Sequence, residues 1–275
     1  MNVSAKIIAD SVDAKSGNRV TTFELEYPRY IHSQLMTHRV FSRNCASSRA
    51  IPINKVIEQI ECDSQEPMWT YNKSGMQGKE VQEEELKNKC LSVWNKARDN
   101  AVNTAKELVG LGIHKQDANR LLEPFQTMKT VLTGTEFSNF FKLRIHKDAQ
   151  PEIRALAECM RCAINQSMPT IAYEGYWHLP YISEEDLAKF GLEKAKKIST
   201  SCCAQVSYRA LDQSEKKALA IFDKLVSGDI IHGSAFEHIC RPMEPEEKQV
   251  GNLTGFRQYR YDIEQELGAS HLSEK

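Results

Sequence analysis

A chain of 275 residues with a formal net charge of −1 has no global field to draw it to nucleic acid or to an anionic membrane, so any anion site must be local. Hydrophobic residues make up 41% and charged residues 27%, the balance of a soluble globular protein long enough to bury a full core. No apolar run approaches the roughly 20 residues of a membrane span, and the opening M-N-V-S-A-K-I-I-A-D lacks the apolar core of a signal peptide, so the expected compartment is the cytoplasm.

In chain order, residues near Ala5 to Val12 read as a strand, and Lys15-Ser16-Gly17-Asn18 is turn chemistry. Arg19 to Tyr27 alternates, with Phe23, Leu25 and Tyr27 on one face, so the two segments predict a hairpin. Pro28 stops the second strand, and a helix follows over Tyr30 to Arg39 with a loop after it. Glu61 to Gly78 reads as loop, with Trp69 as its anchor. Leu86, Cys90, Val93, Ala97, Ala101, Ala105 and Leu108 repeat at a helical period across Val81 to Leu111, and Gly110 and Gly112 end that helix. A further helix covers His114 to Leu122 and stops before Pro124.

Thr127 to Thr133 is strand-like through its β-branched residues. Helices follow over Phe137 to Arg144 and over Pro151 to Ser167, the latter with proline at its start. Ala172 to Tyr181 is an aromatic, proline-punctuated loop, and Ser183 caps a short helix. Leu192 to Ala210 and Ser214 to Val226 are helical again, the second opened by Asp212 to Ser214, and the runs Glu83 to Glu85 and Glu244 to Lys248 read as solvated faces. The expected fold is α+β, a helix-dominated single domain over residues 1–275 with a small antiparallel sheet.

Eight cysteines are present, and in a cytosolic chain they are reduced. Cys159-Met-Arg-Cys162 is a single CxxC with no second pair to complete a zinc site, and it lies in an apolar-periodic helix, so core packing is the expectation and no metal is assigned.

The densest chemistry lies in T-H-R-V-F-S-R-N-C-A-S-S-R, Thr37 to Arg49. Three arginines, a histidine, an asparagine, three serines and a threonine cannot be buried dry, because their donors would lack partners. Such a set suits phosphates and a planar heterocycle, and arginine grips both. On composition alone a solvated surface loop is an equal reading.

The stretch resembles the signature of the flavin-dependent thymidylate synthases, in which a Gln is followed by Arg-His-Arg, then Ser, Asn-Glu, Ser and Arg at fixed spacing. Gln34, His38, Arg39, Ser42, Asn44, Ser47 and Arg49 fall in register, while Thr37 stands for the first Arg and Cys45 for the Glu. A second stretch, Thr135 to Arg154, is similar to the family's second signature through Asn139, Arg144, Ala149, Gln150, Glu152 and Ile153, with Arg120 four residues before Pro124 upstream. Thr133 and Thr135 stand where typical members carry a flavin-contacting Asn and Arg. H-G-S-A-F-E-H, His232 to His238, and A-Q-V-S-Y, Ala204 to Tyr208, resemble segments that precede the Arg-His-Arg signature in typical members; here they follow it. The chain thus resembles a rearranged, phage-type member, with the family's N-terminal segments placed at about residues 198–240.

The resemblance implies a ThyX-like fold and the reductive methylation of dUMP to dTMP, with 5,10-methylenetetrahydrofolate as one-carbon donor, FAD as flavin and NADPH as reductant. It implies dUMP contacts from Gln34, Cys45, Ala46, Ser47, Ser48, Arg49, Arg120 and Arg144, with Arg144 the catalytic group beside N3 and O2 of the uracil. It implies FAD contacts from Thr37, His38, Arg39, Asn44, Asn139, Ser234 and His238, in a site between subunits of a homotetramer. Arginine is too basic to serve readily as a general base, so the expected role of Arg144 is electrostatic.

Three alternatives stand beside this reading. Read without the family, Arg120 and Arg144 are salt-bridge partners, and His232 and His238 are capping or core residues. The changes at Thr37 and Cys45 are compatible with a pyrimidine deoxynucleotide hydroxymethylase or another C5-modifying enzyme, and a thiol between Arg43 and Arg49 is a candidate nucleophile. A nucleic-acid-binding module using the arginine-rich loop is the reading of another class, and near-neutral charge counts against it.

Overall fold

A computed structural model describes residues 2–75, 78–206, 214–227 and 231–267. Ser207 to Ala210, Leu211 to Gln213 and so the end of the expected helix over Leu192 to Ala210, and the last two residues of A-Q-V-S-Y, lie outside the described residues.

The first two strands, β1 (Ser4–Asp13) and β2 (Arg19–Pro28), form the expected antiparallel hairpin. Gly17 sits at φ 73° in its turn, a conformation that glycine adopts without a side-chain clash. A 3-10 turn (Arg29–Ile31) and a short helix α1 (His32–Met36) follow. The sequence predicts a helix running on to Arg39, but α1 ends early because local donors take its last carbonyls. Thr37 Oγ1 donates to the Gln34 carbonyl at 2.7 Å, and Arg43 Nη1 donates to the carbonyls of Met36 at 3.0 Å and His38 at 3.2 Å.

The segment read as loop after that helix contains a strand, β3 (Ser42–Cys45), which pairs antiparallel with β6 (Thr127–Gly134), itself paired with β2. Between them come α2 (Ile53–Cys62), the two-residue strands β4 (Thr70–Tyr71) and β5 (Lys79–Glu80), α3 (Glu84–Gly110) and α4 (Lys115–Ala118), the last running into a 3-10 turn (Asn119–Phe125) that includes Pro124. After β6 come α5 (Ser138–Arg144), α6 (Pro151–Gln166) and β7 (Thr170–Ala172). The main sheet has five strands in the order β3-β6-β2-β1-β7. It is the expected small antiparallel sheet, with β7 added parallel to β1 at one edge.

The remaining elements are α7 (Glu184–Phe190), α8 (Leu192–Ala204), α9 (Glu215–Val226), a 3-10 turn (Gly233–His238), the paired strands β8 (Cys240–Pro242) and β9 (Phe256–Gln258), and α10 (Tyr259–Glu266). Ser183 closes a reciprocal capping box with Asp186 at the start of α7, as its position predicts.

The pleat sorts the sheet into two chemistries. On one face Phe23, Leu25 and Tyr27 of β2 and Met128 and Leu132 of β6 pack against Phe140 of α5 and Ile153, Leu156, Ala157 and Met160 of α6. Burying each large side chain contributes about 2 kcal/mol. On the other face Val131 meets Cys203 of α8, Phe222 of α9, Phe236 and Tyr259. That face also carries buried hydroxyls, Thr22 opposite Thr133 and Thr133 opposite Ser42. At the end of β6 a side chain on Gly134 would meet the Phe41 ring at 2.7 Å, so glycine is needed for Phe41 to close over the strand.

A third cluster joins Ile53, Val56, Ile57 and Ile60 of α2 to Val102 and Ala105 of α3 and to Leu122 and Phe125. The stripe predicted along α3 is corrected here. Val93 is 70% exposed and Ala97 is exposed, whereas Ala101, Ala105 and Leu108 of the stripe do pack, joined by Trp94 and Val102. The CxxC is corrected as well: Cys162 is exposed and Cys159 half-buried, so the pair does not pack in the core. No helix among the described residues is long and apolar enough to cross a membrane.

Candidate active site

Arg144 ends α5 and reaches across to α1. Its Nε donates to His38 Nε2 at 2.9 Å, its Nη1 to Gln34 Oε1 at 3.4 Å, and its Nη2 to the Gln34 carbonyl at 3.3 Å and to Thr37 Oγ1 at 3.2 Å. The geometry thus gathers four of the predicted site residues, bringing Arg144 to Gln34, Thr37 and His38, which lie more than a hundred positions before it in the chain. Every acceptor is neutral. No salt bridge neutralises this guanidinium among the described residues, so the reading of Arg144 as a structural ion-pair partner is overturned. Gln34 also donates from Nε2 to Gln150 Oε1, which links the cluster to a cleft of about 420 Å³ lined by Lys147, Gln150, Glu152 and Arg154.

His38 is buried, its ring edge-on to Phe140 at 4.9 Å between centroids. Burial lowers its pKa, and the charges of Arg144 and Arg43 lower it further. Burial also lowers Arg144, which remains a cation. Because a guanidinium only donates, His38 Nε2 is the bare nitrogen and Nδ1 carries the proton.

A second cluster forms where β3 meets α8 and the Gly233–His238 turn. Asn44 donates from Nδ2 to the Cys203 carbonyl at 2.6 Å and accepts from Ser234 Oγ at 3.0 Å. His238 is fully buried, with Nδ1 2.8 Å from Thr133 Oγ1 and Nε2 without a hydrogen-bond partner. Burial, with the neighbouring His178 adding to it, pushes its pKa down to about 3, so the ring is neutral. The predicted flavin residues are therefore divided. Thr37 and His38 sit with Arg144, whereas Asn44, Ser234 and His238 lie on the opposite face of the sheet at its β3 edge. Arg39 and Asn139 are exposed.

The predicted phosphate-binding residues form a third group. Ser47 to Arg49 make a turn in which the Ala50 N–H donates to the Ser47 carbonyl at 3.0 Å. Asn119 fastens this turn to the Asn119–Phe125 segment by donating to the carbonyls of Ser48 at 2.7 Å and Ile51 at 3.0 Å. Arg120 therefore stands beside the turn. There the salt-bridge reading holds: Arg120 Nη1 lies 3.0 Å from Glu123 Oε1, in a pair whose arginine side chain is 60% exposed. Ser48 and Ala46 are buried and Arg49 is exposed.

Cys45 speaks against the alternative of an activated thiol. Its strand neighbours Ser42 and Asn44 have their partners on the far side of the sheet, while Cys45 packs beside the Phe23–Leu132 core. Burial pushes its pKa up, outweighing the lowering by Thr130, Arg43 and Arg29.

Sequence reading missed His178. It is fully buried between Ser11 and Thr22, at 2.8 Å from each hydroxyl, and burial pushes its pKa down to about 4. No local signal marks it, because its partners are 167 and 156 residues away.

Comparison with known proteins places these residues in context. The flavin-dependent thymidylate synthase of Sulfolobus acidocaldarius is 29% identical over 218 residues, 76% of this chain and 75% of that protein. The flavin-dependent thymidylate synthase of Pyrococcus abyssi is 30% identical over 139 residues, half of each chain. Among solved structures, a UMP/dUMP methylase, PolB, from Streptomyces cacaoi, bound with 5-Br UMP, aligns over 60% of this chain and 89% of its own at 17% identity with a TM-score of 0.49. The family model described as "Thymidylate synthase complementing protein", Thy1, matches residues 18–170, a span holding the Gln34–Thr37–His38–Arg144 cluster, and the chain belongs to that family.

Proposed function

We propose that the chain is a flavin-dependent thymidylate synthase that converts dUMP to dTMP, with 5,10-methylenetetrahydrofolate giving the one-carbon unit and NADPH reducing the flavin. The observation that carries the reading is Arg144, whose guanidinium spends four hydrogen bonds on neutral acceptors and keeps its full charge for a ligand. Negative charge developing on N3 and O2 of a uracil is what such a fixed cation stabilises best, in a half-buried setting that weakens solvent screening. Gln34 offers an amide to the polar edge of the same nucleotide. Ser47, Ser48, Arg49 and Arg120 supply phosphate donors from one turn and the segment fastened to it. Cys45 and Ala46, the proposed remaining nucleotide residues, lead directly into that turn, with the Ala46 N–H donating to the Lys129 carbonyl at 3.1 Å. The raised thiol pKa of Cys45 argues for pyrimidine activation without a cysteine nucleophile.

The proposed FAD residues Thr37, His38, Arg39, Asn44, Asn139, Ser234 and His238 contain no carboxylate, which suits a diphosphate. The buried, unpartnered His238 Nε2 is a polar atom that the flavin's heterocycle would satisfy. These features fit the cofactor, which when bound would supply the hydride. The chain's own part is to position the nucleotide, hold charge at Arg144 and keep His38 neutral. Division of the set between two faces of the sheet supports a site completed by another copy, and we take the assembly to be a homotetramer. The segments at about 198–240 lie beyond the matched residues 18–170, and Ser234 returns to Asn44 of β3, which supports one rearranged domain over 1–275.

The test is optical. Purified protein supplied with FAD should be yellow and should bleach with NADPH under nitrogen. Protein that stays colourless after incubation with FAD and gel filtration overturns the reading.

A further inference from the structure

On the hydroxyl-bearing face of the sheet, six side chains lie in one line. Tyr176 Oη is 3.0 Å from Ser11 Oγ, which is 2.8 Å from His178 Nδ1. His178 Nε2 is 2.8 Å from Thr22 Oγ1, and Thr22 Oγ1 is 2.7 Å from Thr133 Oγ1. Thr133 Oγ1 is 2.8 Å from His238 Nδ1. Ser11, Thr22, Thr133, His178 and His238 are all fully buried. The fold fixes the line at several points. Thr22 and Thr133 are direct cross-strand partners, and His178 exchanges backbone hydrogen bonds with Cys240, two residues beyond His238.

The hydrogens can be counted. The low pKa values of both histidines keep the rings neutral, so each carries one N–H and one bare nitrogen. Each hydroxyl carries one hydrogen. Five links therefore share six hydrogens, one of which must point out of an end. A hydroxyl that received from both neighbours would waste its own hydrogen in the core, at the cost of an unmade buried bond. All links must then run in one direction. In one direction His238 Nδ1–H donates to Thr133, Thr133 to Thr22, Thr22 to His178 Nε2, and His178 Nδ1–H to Ser11, which donates to Tyr176. In the other, Tyr176 donates to Ser11, Ser11 to His178 Nδ1, and His178 Nε2–H to Thr22, which donates to Thr133 and so to His238 Nδ1. Either way the two histidines hold the same tautomer, both Nδ1–H or both Nε2–H.

We propose that this line is a two-state hydrogen-bond wire: it locks His178 and His238 into one shared tautomer, and a group set against the unpartnered His238 Nε2 selects the state and is sensed at the Tyr176 hydroxyl. An acceptor at Nε2 draws both rings to Nε2–H, and a donor draws both to Nδ1–H. The ligand class this suits is a heterocycle whose ring nitrogen accepts when oxidised and donates when reduced. That class rests on the flavin reading above; the coupling of the two tautomers does not. His178 is then a positioning residue, acting on His238 through Thr22 and Thr133. The Thr133 hydroxyl is what carries the line from Thr22 to His238.

The test is long-range proton–nitrogen NMR on protein labelled with nitrogen-15 histidine, which separates protonated from bare ring nitrogens. In wild-type protein without flavin, His178 and His238 should show the same tautomer, or the same population of the two if they exchange. Different tautomers or unequal populations overturn the wire, whether or not FAD binds. The nearly isosteric Thr133→Val cuts the line, and the two populations should then differ; equal populations in that variant would overturn the coupling. Should Thr133→Val not fold, the wild-type comparison decides alone. With FAD added, both histidine signals should shift in wild-type protein and only that of His238 in Thr133→Val. A bound flavin that leaves His178 unmoved in wild-type protein refutes sensing along the line.

Discussion

Arg144 Nε donates to His38 Nε2 at 2.9 Å, and this one bond fixes the state of both residues. It leaves the imidazole with its proton on Nδ1 and holds the guanidinium against a neutral ring that cannot cancel its charge. The rest of the proposed chemistry is built around that retained charge.

Replacing Arg144 by Ala should therefore lower turnover by at least about a hundredfold, the scale expected when a charge-stabilising donor is lost. The fold should persist, because the side chain is half-buried and makes no ion pair among the described residues. Arg144→Lys should recover little, since an ammonium cannot reach His38, Gln34 and Thr37 together. Turnover measured alongside the thermal midpoint checks this. A collapse of both together would make Arg144 structural instead.

Arg120 makes a different prediction. Its side chain is 60% exposed, and Glu123 keeps a second partner in Arg29 when Arg120 leaves, so Arg120 can swing to a phosphate at a cost of about 0–1 kcal/mol. Arg120→Ala should raise the KM for dUMP by roughly tenfold, the loss of one charge-assisted bond, with kcat nearly unchanged. An unchanged KM would remove Arg120 from the nucleotide site.

For Cys45, raised pKa and a position beside the core predict a bystander thiol. Cys45→Ser should keep turnover within about threefold and the wild-type pH profile, because the thiolate is not populated near neutrality. Loss of activity with an intact fold would restore the nucleophile reading.

Stability should depend on acid through the buried histidines. The unfolded chain binds a proton on each near pH 6.5, whereas folding pushes His178 down to about 4 and His238 down to about 3. Depressed folded-state values mean that stability is fully present above pH 6.5 and is lost as pH falls towards 4 and then 3. Each unit of pH within that window costs about 1.4 kcal/mol per histidine. Asp10 opposes the shift at His178, and His178 deepens it at His238. His178→Asn should flatten the dependence between pH 6 and 4.5 by about one proton's worth of slope. Urea midpoints across that range measure it, and a variant as acid-sensitive as wild type would contradict the assignment.

The hairpin, α5, α6 and the capped start of α7 were legible in the sequence because their signals are local: alternation in Arg19 to Tyr27, proline at the head of α6, Ser183 three residues before Asp186. The register linking Gln34, His38 and Arg144 was legible too, but only through family resemblance, since α1 and α5 are far apart in the chain. β3 was not. Ser42-Arg-Asn-Cys45 has little intrinsic strand preference, and it is extended because β6 offers an edge while Gln258, Ser234 and the Cys203 carbonyl satisfy its side chains. Helical periodicity in α3 likewise marked a face without saying that α2 covers only the half beyond Trp94, which leaves Val93 in solvent. His178 escaped for the same reason, as Ser11 and Thr22 reach it only once the sheet has formed.

The most direct measurement is the mass of the nucleotide product. Wild-type protein given dUMP, 5,10-methylenetetrahydrofolate, FAD and NADPH should yield dTMP, and Arg144→Ala should leave dUMP unconverted. A hydroxymethyl nucleotide from the wild type, or unchanged dUMP with flavin bound and reducible, would contradict the assignment.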